Sequence, residues 1–292
     1  IGVVKNGAAR WIWLGKHTFQ PSELVKLVLP LYLAHIFDKK QGELDSFSVG
    51  ILPPVLITTV FFCLIYLQNN FSTAVFIAIN ALFIFFFAGV KIRYFVGALV
   101  ILLPLSSFLI LTKAHRLRRL VSFFWPEWEP QGAGYQVKSS LLTIASGEFW
   151  GKGIGLGTRK IASVPEIHSD FIFSAFAEES GFFGVILFFI LFGIFAVHGY
   201  RGALRQDNTF RRLAVFGLVT MVVSQVLLNV AVVAGAVPAT GIPLPFLSAG
   251  GSSLLVTLII AGIIVNISRL PAKNRIPSEA FFSPGVGVQD VR

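Results

Sequence analysis

Residues 171–198 read FIFSAFAEESGFFGVILFFILFGIFAVH, an apolar and aromatic run that sets the fold class of the whole chain. A hydrocarbon core about 30 Å thick is crossed by roughly 20 helical residues. A segment in lipid must close its own backbone hydrogen bonds, which selects a helix, and the strict alternation of a barrel strand is absent. Comparable runs lie at 21–37, 48–67, 71–90, 94–112, 213–236 and 252–268, so seven spans are predicted. The expected fold is all-α and polytopic. It consists of one transmembrane domain over 1–270, with an extracytoplasmic loop at 113–170 and a polar, Pro-containing cytoplasmic tail at 271–292 that is expected to be disordered.

Composition agrees with that class: 55% hydrophobic residues, a mean hydropathy of +0.78 and 30 Phe in 292 residues exceed the apolar share of a soluble domain. The net charge of +10 sits in loops between apolar runs. No basic domain is available to track a phosphate backbone, which argues against nucleic acid as a partner. Cys63 stands alone inside an apolar run, so it forms no intramolecular disulfide and no multi-cysteine metal site and reads as a packing residue.

Orientation follows from the short connections. Asp38-Lys39-Lys40, Lys91-Ile92-Arg93, Arg201 to Arg212 and the tail from Arg269 are basic and share one side, which is assigned as cytoplasmic. Gln68-Asn69-Asn70 and 236–250 carry no Lys or Arg and fall outside. The long outer loop breaks the rule, because it holds Lys113, Arg116, Arg118, Arg119, Lys138, Lys152, Arg159 and Lys160. A cost against the insertion bias points to a use, and an anionic ligand such as a phosphorylated lipid fits. The chain begins at Ile1 with no initiator Met or signal peptide, and residues 1–20 read as an outer loop, so further spans are expected ahead of it.

Several groups stand out within this frame. Glu23 and Lys26 are three apart on one helical face and are expected to pair, and Gln20-Pro21-Ser22-Glu23 reads as a helix start with an acidic group at the positive dipole end. Charges at membrane depth serve either such a capping pair or a substrate. Glu178 and Glu179 lie about two turns into their span, at 1.5 Å per residue. One of them is expected to face the polar interior, either orienting the loop above or bonding a neighbouring helix.

The outer connection Pro238 to Ser253 contains Pro238, Pro243, Pro245, Gly241, Gly250 and Gly251, which block a continuous helix and suggest a cavity-lining segment. Val137 to Trp150 reads as a short interfacial helix. The glycine-rich turn Gly151-Lys152-Gly153-Ile154-Gly155-Leu156-Gly157 is open to two readings, a phosphate cradle or plain flexibility. Glu166, His168 and Asp170 are close in sequence but lack a fourth ligand, an unconvincing protein-built metal site. A magnesium or manganese ion carried by a diphosphate substrate is the easier possibility. Asp170, at the mouth of a span and amid basic residues, suits a general base, while its plain alternative is the N-cap of the helix starting at Phe171.

Five stretches, in order and with matching membrane spacing, resemble the SEDS polymerases of bacterial cell-wall synthesis, the FtsW, RodA and SpoVE type. They are Asn6-Gly7-Ala8-Ala9-Arg10-Trp11, Gln20 to Glu23 with Lys26, Gly132-Ala133-Gly134-Tyr135-Gln136, Pro165 to Phe173, and Gly241 to Ser253. The resemblance covers nearly the whole chain and implies the last seven helices of a ten-helix bundle. It also implies a peptidoglycan glycosyltransferase that polymerises lipid II at the outer face of the cytoplasmic membrane, with a polyprenyl diphosphate as leaving group and no firm cofactor.

On this resemblance the essential acidic residue falls on Asp170, and functionally sensitive positions fall on Trp11, Glu23 and Lys26. Arg116, Lys152, Arg159, Lys160, His168 and Ser252 are the further expected substrate contacts. The implied partners are a class B penicillin-binding protein and other divisome or elongasome proteins. Some positions depart from the family pattern: Asn70 replaces a carboxylate, Ser139 stands where Gln is common, and Glu148 where Gly is common. Val164-Pro165-Glu166 and Gly157-Thr158-Arg159-Lys160 lean to the FtsW division branch. Two rival functions use the same features, a lipid II flippase built on broken helices and a non-catalytic scaffold.

Overall fold

The computed structural model describes residues 2–5, 8–15, 17–125, 133–157 and 170–270. Helices appear at all seven expected positions: α1 (Pro21–Lys39), α2 (Leu52–Leu67, entered through a π-helical turn at Phe47–Ile51), α3 (Phe71–Phe87), α4 (Ile92–Leu111), α7 (Ile172–Leu204), α8 (Thr209–Val233) and α9 (Gly251–Arg269). Phe47–Leu67, α4, α7, α8 and α9 are long and apolar enough to cross a membrane, and α3 is a shorter apolar helix of 17 residues. Five of the seven expected spans thus meet that length and hydropathy among the described residues, while α3 is shorter and α1 is diluted by Glu23, Lys26, Asp38 and Lys39.

Three features depart from the expected layout. Residues 2–19 are not a plain loop but a three-stranded antiparallel meander, β1 (Gly2–Lys5), β2 (Ala8–Leu14) and β3 (His17–Phe19), in which Trp11 faces Val3 in register. The segment 113–170 is not a plain loop either, because it contains α5 (Ala114–Phe124) and α6 (Ala133–Ala145). The interfacial helix expected at 137–150 thus starts and ends earlier, and 146–150 is a turn. Finally, α7 is broken: Gly181 has φ 65° and ψ −167°, so 172–180 and 182–204 are two helices meeting at a kink.

The core forms around α8, which packs against α1, α3, α7 and α9. Without a hydrophobic drive between helices in lipid, close approach depends on small residues at crossings. Gly217 supplies one, lying against Ile84 of α3 and Pro30 of α1, and Gly199 meets Val219 between α7 and α8. Leu29, Leu33, Phe37, Ile77, Ile84, Leu213 and Met221 fill the α1–α3–α8 interior. Phe171, Phe173, Phe188, Val226 and Val233 fill the space between α7 and α8. In contrast, α4 has no buried residue at all. The tail 271–292 lies outside the described residues.

Candidate active site

The N-terminal ends of α1 and α7 and the C-terminal half of α8 meet at the segment 236–250, which is irregular as its prolines and glycines predicted. Helix α1 begins as its sequence suggested: Gln20 is the N-cap, Pro21 opens the first turn and Glu23 lies within it. Glu23 and Lys26 are both buried, 4% and 2% exposed, and Lys26 Nζ donates to Glu23 Oε1 at 2.8 Å. Charges this deep need full pairing, and Lys26 also donates to Gln225 Oε1 at 3.1 Å. Gln225 Nε2 passes the connection on to the carbonyl of Pro243 at 2.7 Å.

One turn along α8, Asn229 Nδ2 donates to the carbonyl of Ile242 at 2.9 Å and to that of Asp170 at 2.8 Å. The Glu23–Lys26 pair and the backbone of Asp170 are thus tied to the same two residues, Ile242 and Pro243, through Gln225 and Asn229. Neither amide was singled out from sequence. Their spacing of four inside the apolar run 213–236, which puts both on one helical face, was the available signal.

Asp170 is partly exposed at the N-terminal end of α7. The N-cap of α7 is Phe171, with no side-chain cap, so Asp170 lies one position before the cap and the N-cap reading of it fails. Its carboxylate faces Gly241, where a β-carbon would come within 3.3 Å of Oδ2.

Cations gather on the same face. Arg10 of β2 donates from Nε to the Gln68 carbonyl at 3.1 Å and from Nη2 to that of Asn69 at 2.5 Å, tying the sheet to the α2–α3 turn. Burial, and then Arg119, hold its guanidinium below the usual arginine range. Arg119 of α5 reaches the carbonyl of Ala239 at 3.4 Å, two residues from Gly241. His115 is held below the ordinary imidazole value of 6.5 by burial first and then by Arg116, Arg119, Arg10 and Lys113. Three or more like charges acting on one imidazole mark a field that favours an anion.

The other expected contacts are placed differently. Arg116 is 6% exposed and lies with its guanidinium carbon 4.7 Å from the ring centroids of both Tyr66 and Phe71, donating to Tyr66 Oη and the Leu109 carbonyl. It anchors α5 as well as contributing charge. Trp11 is half-buried in β2. Ser252 donates to the Thr18 carbonyl and accepts from the Gln20 N–H, each at 3.1 Å, and so ties α9 to the sheet. Arg159, Lys160 and His168 lie outside the described residues, as does Glu166. Among the described residues no group of three His, Cys, Asp or Glu is placed to hold a metal.

Lys152 engages Glu178 at 2.8 Å, and Glu178 is wholly buried and also accepts from Ser146 Oγ at 3.3 Å. Of the two roles open to the Glu178–Glu179 pair, orienting the loop is the one seen. At its first three residues, Gly151 to Gly153, both readings of the glycine-rich turn need correction. The N–H groups of Lys152 and Gly153 donate to the carbonyls of Glu178 and Glu179, so they do not point at a phosphate. Nor is Gly151 merely flexible, because a β-carbon there would collide with the Glu179 carbonyl and lie 2.7 Å from Gly181 N. The turn docks backbone to backbone on the α7 kink, where Phe182 N–H also donates to the Glu148 carbonyl.

Comparison with known proteins places this arrangement. The family described as Cell cycle protein, FtsW/RodA/SpoVE, matches residues 1–273. A probable peptidoglycan glycosyltransferase FtsW from Geobacter sp. (strain M18) is 38% identical over 268 residues, 92% of this chain and 73% of that protein. Stage V sporulation protein E from Bacillus subtilis (strain 168) is 36% identical, covering 92% and 74%. A solved chain from a study of how a peptidoglycan synthase complex coordinates polymerization and crosslinking superposes with a TM-score of 0.76 at 30% identity, covering 92% of this chain and 75% of that one. The crystal structure of Thermus thermophilus rod shape determining protein RodA gives 0.64 at 28%, with 92% and 72% covered.

Proposed function

Since this chain belongs to the FtsW, RodA and SpoVE family, we propose that the Asp170 site is where glycan strands are extended from a lipid-linked donor. The chain is a multi-pass membrane peptidoglycan glycosyltransferase. The substrate is read as lipid II, a disaccharide-peptide on undecaprenyl diphosphate, bound at the outer face of the cytoplasmic membrane.

The observation that carries this reading is the meeting of a partly exposed carboxylate and a cationic cluster on one irregular segment. Gly241 faces Asp170, and Ala239 receives Arg119. Asp170 takes the proton from the acceptor sugar hydroxyl as that oxygen attacks the anomeric carbon. The bond to the diphosphate breaks, its electron pair leaves with the polyprenyl diphosphate, and an α-linked donor gives a β-linked product. Arg10 and Arg119 supply positive charge where the leaving group gathers negative charge. Any magnesium or manganese ion would arrive on the diphosphate of the substrate. Apolar grooves between helices hold the polyprenyl chains and orient both substrates.

A structural neighbour comes from a complex that couples polymerization to crosslinking. On that basis the partner is read as a class B penicillin-binding protein within the division or elongation machinery.

The test is polymerisation of labelled lipid II by the purified full-length protein with that partner. Asp170→Asn should lower the rate by about 10²- to 10⁴-fold, the usual contribution of a positioned base. Retained polymerisation by this variant overturns the reading. Lipid translocation that persists while the wild type makes no glycan would identify a flippase instead, and inactivity of the wild type in both assays would identify a scaffold.

A further inference from the structure

We propose that Asn229 is the positioning residue for Asp170, a role that rests on reading Asp170 as the proton acceptor. Asn229 lies on α8 and is 1% exposed. An amide nitrogen carries two hydrogens, and both are committed here, one to the carbonyl of Asp170 at 2.8 Å and one to that of Ile242 at 2.9 Å. The two acceptors belong to different irregular segments, one leading into α7 and one following α8.

The N-cap of α7 is Phe171, and the backbone carbonyl just before it, that of Asp170, is the one Asn229 holds. Fixing the Asp170 carbonyl fixes its peptide plane, and with it the direction in which the carboxylate leaves the backbone. The second bond fixes Ile242, whose neighbour Gly241 is the surface that Oδ2 faces, 3.3 Å from where a β-carbon would stand. One side chain therefore sets both the base and the wall opposite it. The amide cannot be turned over, because Oδ1 would then meet two carbonyl oxygens. Oδ1 itself is buried and has no hydrogen-bond partner among the described residues; the hydrogen bonds seen there are those of the nitrogen.

Two substitutions separate this role from general packing, in the full-length protein assayed with its transpeptidase partner on labelled lipid II. Asn229→Leu keeps volume but removes both donors. It should lower kcat about 100-fold, the scale of a misplaced reacting group, with little change in KM. Asn229→Asp can donate only when protonated, and its ionised form would face two carbonyl oxygens. Asp170 must be ionised in both proteins, so activity should rise with pH in the wild type but pass through a maximum and fall again in Asn229→Asp. Elution as a monodisperse species across the pH range checks folding, and if Asn229→Leu fails that check, the Asn229→Asp pH profile decides. Wild-type kcat in Asn229→Leu, or a pH profile for Asn229→Asp that parallels the wild type, overturns the inference provided Asp170→Asn is inactive. An active Asp170→Asn instead removes the reading beneath it.

Discussion

The carboxylate of Asp170 and the backbone of Gly241 face one another so closely that a β-carbon on Gly241 would lie 3.3 Å from Asp170 Oδ2, while Gly241 itself holds φ at +73°. Both facts disfavour a side chain there. Gly241→Ala should cost about 1 kcal/mol in stability for the left-handed backbone. It should also reduce polymerisation far more than so small a destabilisation explains, because the neighbour that must yield is the proposed base. Glycan yield and thermal unfolding measured on the same preparation check this, and the expectation fails if the two fall in proportion.

The Glu23–Lys26 pair predicts non-additivity. Removing one partner leaves a buried charge uncompensated, at about 3–5 kcal/mol, so Glu23→Gln and Lys26→Met should each unfold at markedly lower temperature. Their combination should fall short of the sum, although Gln225 Oε1 then loses its donor. A double-mutant cycle by thermal unfolding gives the coupling directly, and simple additivity would rule out the pair as a unit.

His115 predicts a pH dependence of anion binding. Burial and four cations hold the imidazole below 6.5, so it is neutral at neutral pH. A bound diphosphate offsets those cations and raises the imidazole value, so binding takes up a proton. Affinity should therefore increase as pH falls from the ligand-bound value towards the ligand-free one. Calorimetry with undecaprenyl diphosphate in buffers of different ionisation enthalpy measures the uptake. Because the ligand titrates too, the readout is the difference from His115→Ala, which should bind with less proton uptake. Equal uptake in the two proteins counts against the cluster as the diphosphate site.

Gly151 predicts a packing defect remote from the base. A β-carbon there would run into the Glu179 carbonyl, on a backbone held at φ +75°. Gly151→Ala should destabilise by about 3 kcal/mol through overpacking and loosen the loop, seen as faster proteolysis within 133–157. Gly193→Ala, on the same helix α7 with nothing within 4 Å of the added carbon, should be neutral.

Much of this was legible in the sequence. The seven apolar runs mark the seven long helices, because a span's length and hydropathy are set locally. Glu23, Lys26 and Asp170 also stood out, since charge near the membrane needs a reason. The meander was missed because β2, AARWIWL, has no clean alternation and its partners are four and three residues long. Helix α5 shows Leu117, Leu120, Val121 and Phe124 at helical spacing, yet it is too short and too basic to span and merged into the loop around it. The α7 break could not be read locally. Gly181 is one glycine in an apolar run, and what fills its gap, 147–151, arrives from about 30 residues earlier in the chain. Asn229 was invisible as a bracket for the same reason, because its acceptors belong to segments that only the fold brings together.

Helix α4, which buries none of its residues, is governed by its solvent more than by its neighbours. At 20 residues and 1.5 Å each it spans about 30 Å, the thickness of the hydrocarbon itself. Tyr94 and Phe95 near its start pack on the core, and beyond them its fit to the bilayer rests on matching length to hydrocarbon thickness. Most of its letters are interchangeable with other apolar ones, so this is the part of the chain that selection can retune when a bacterium changes the thickness or fluidity of its lipids.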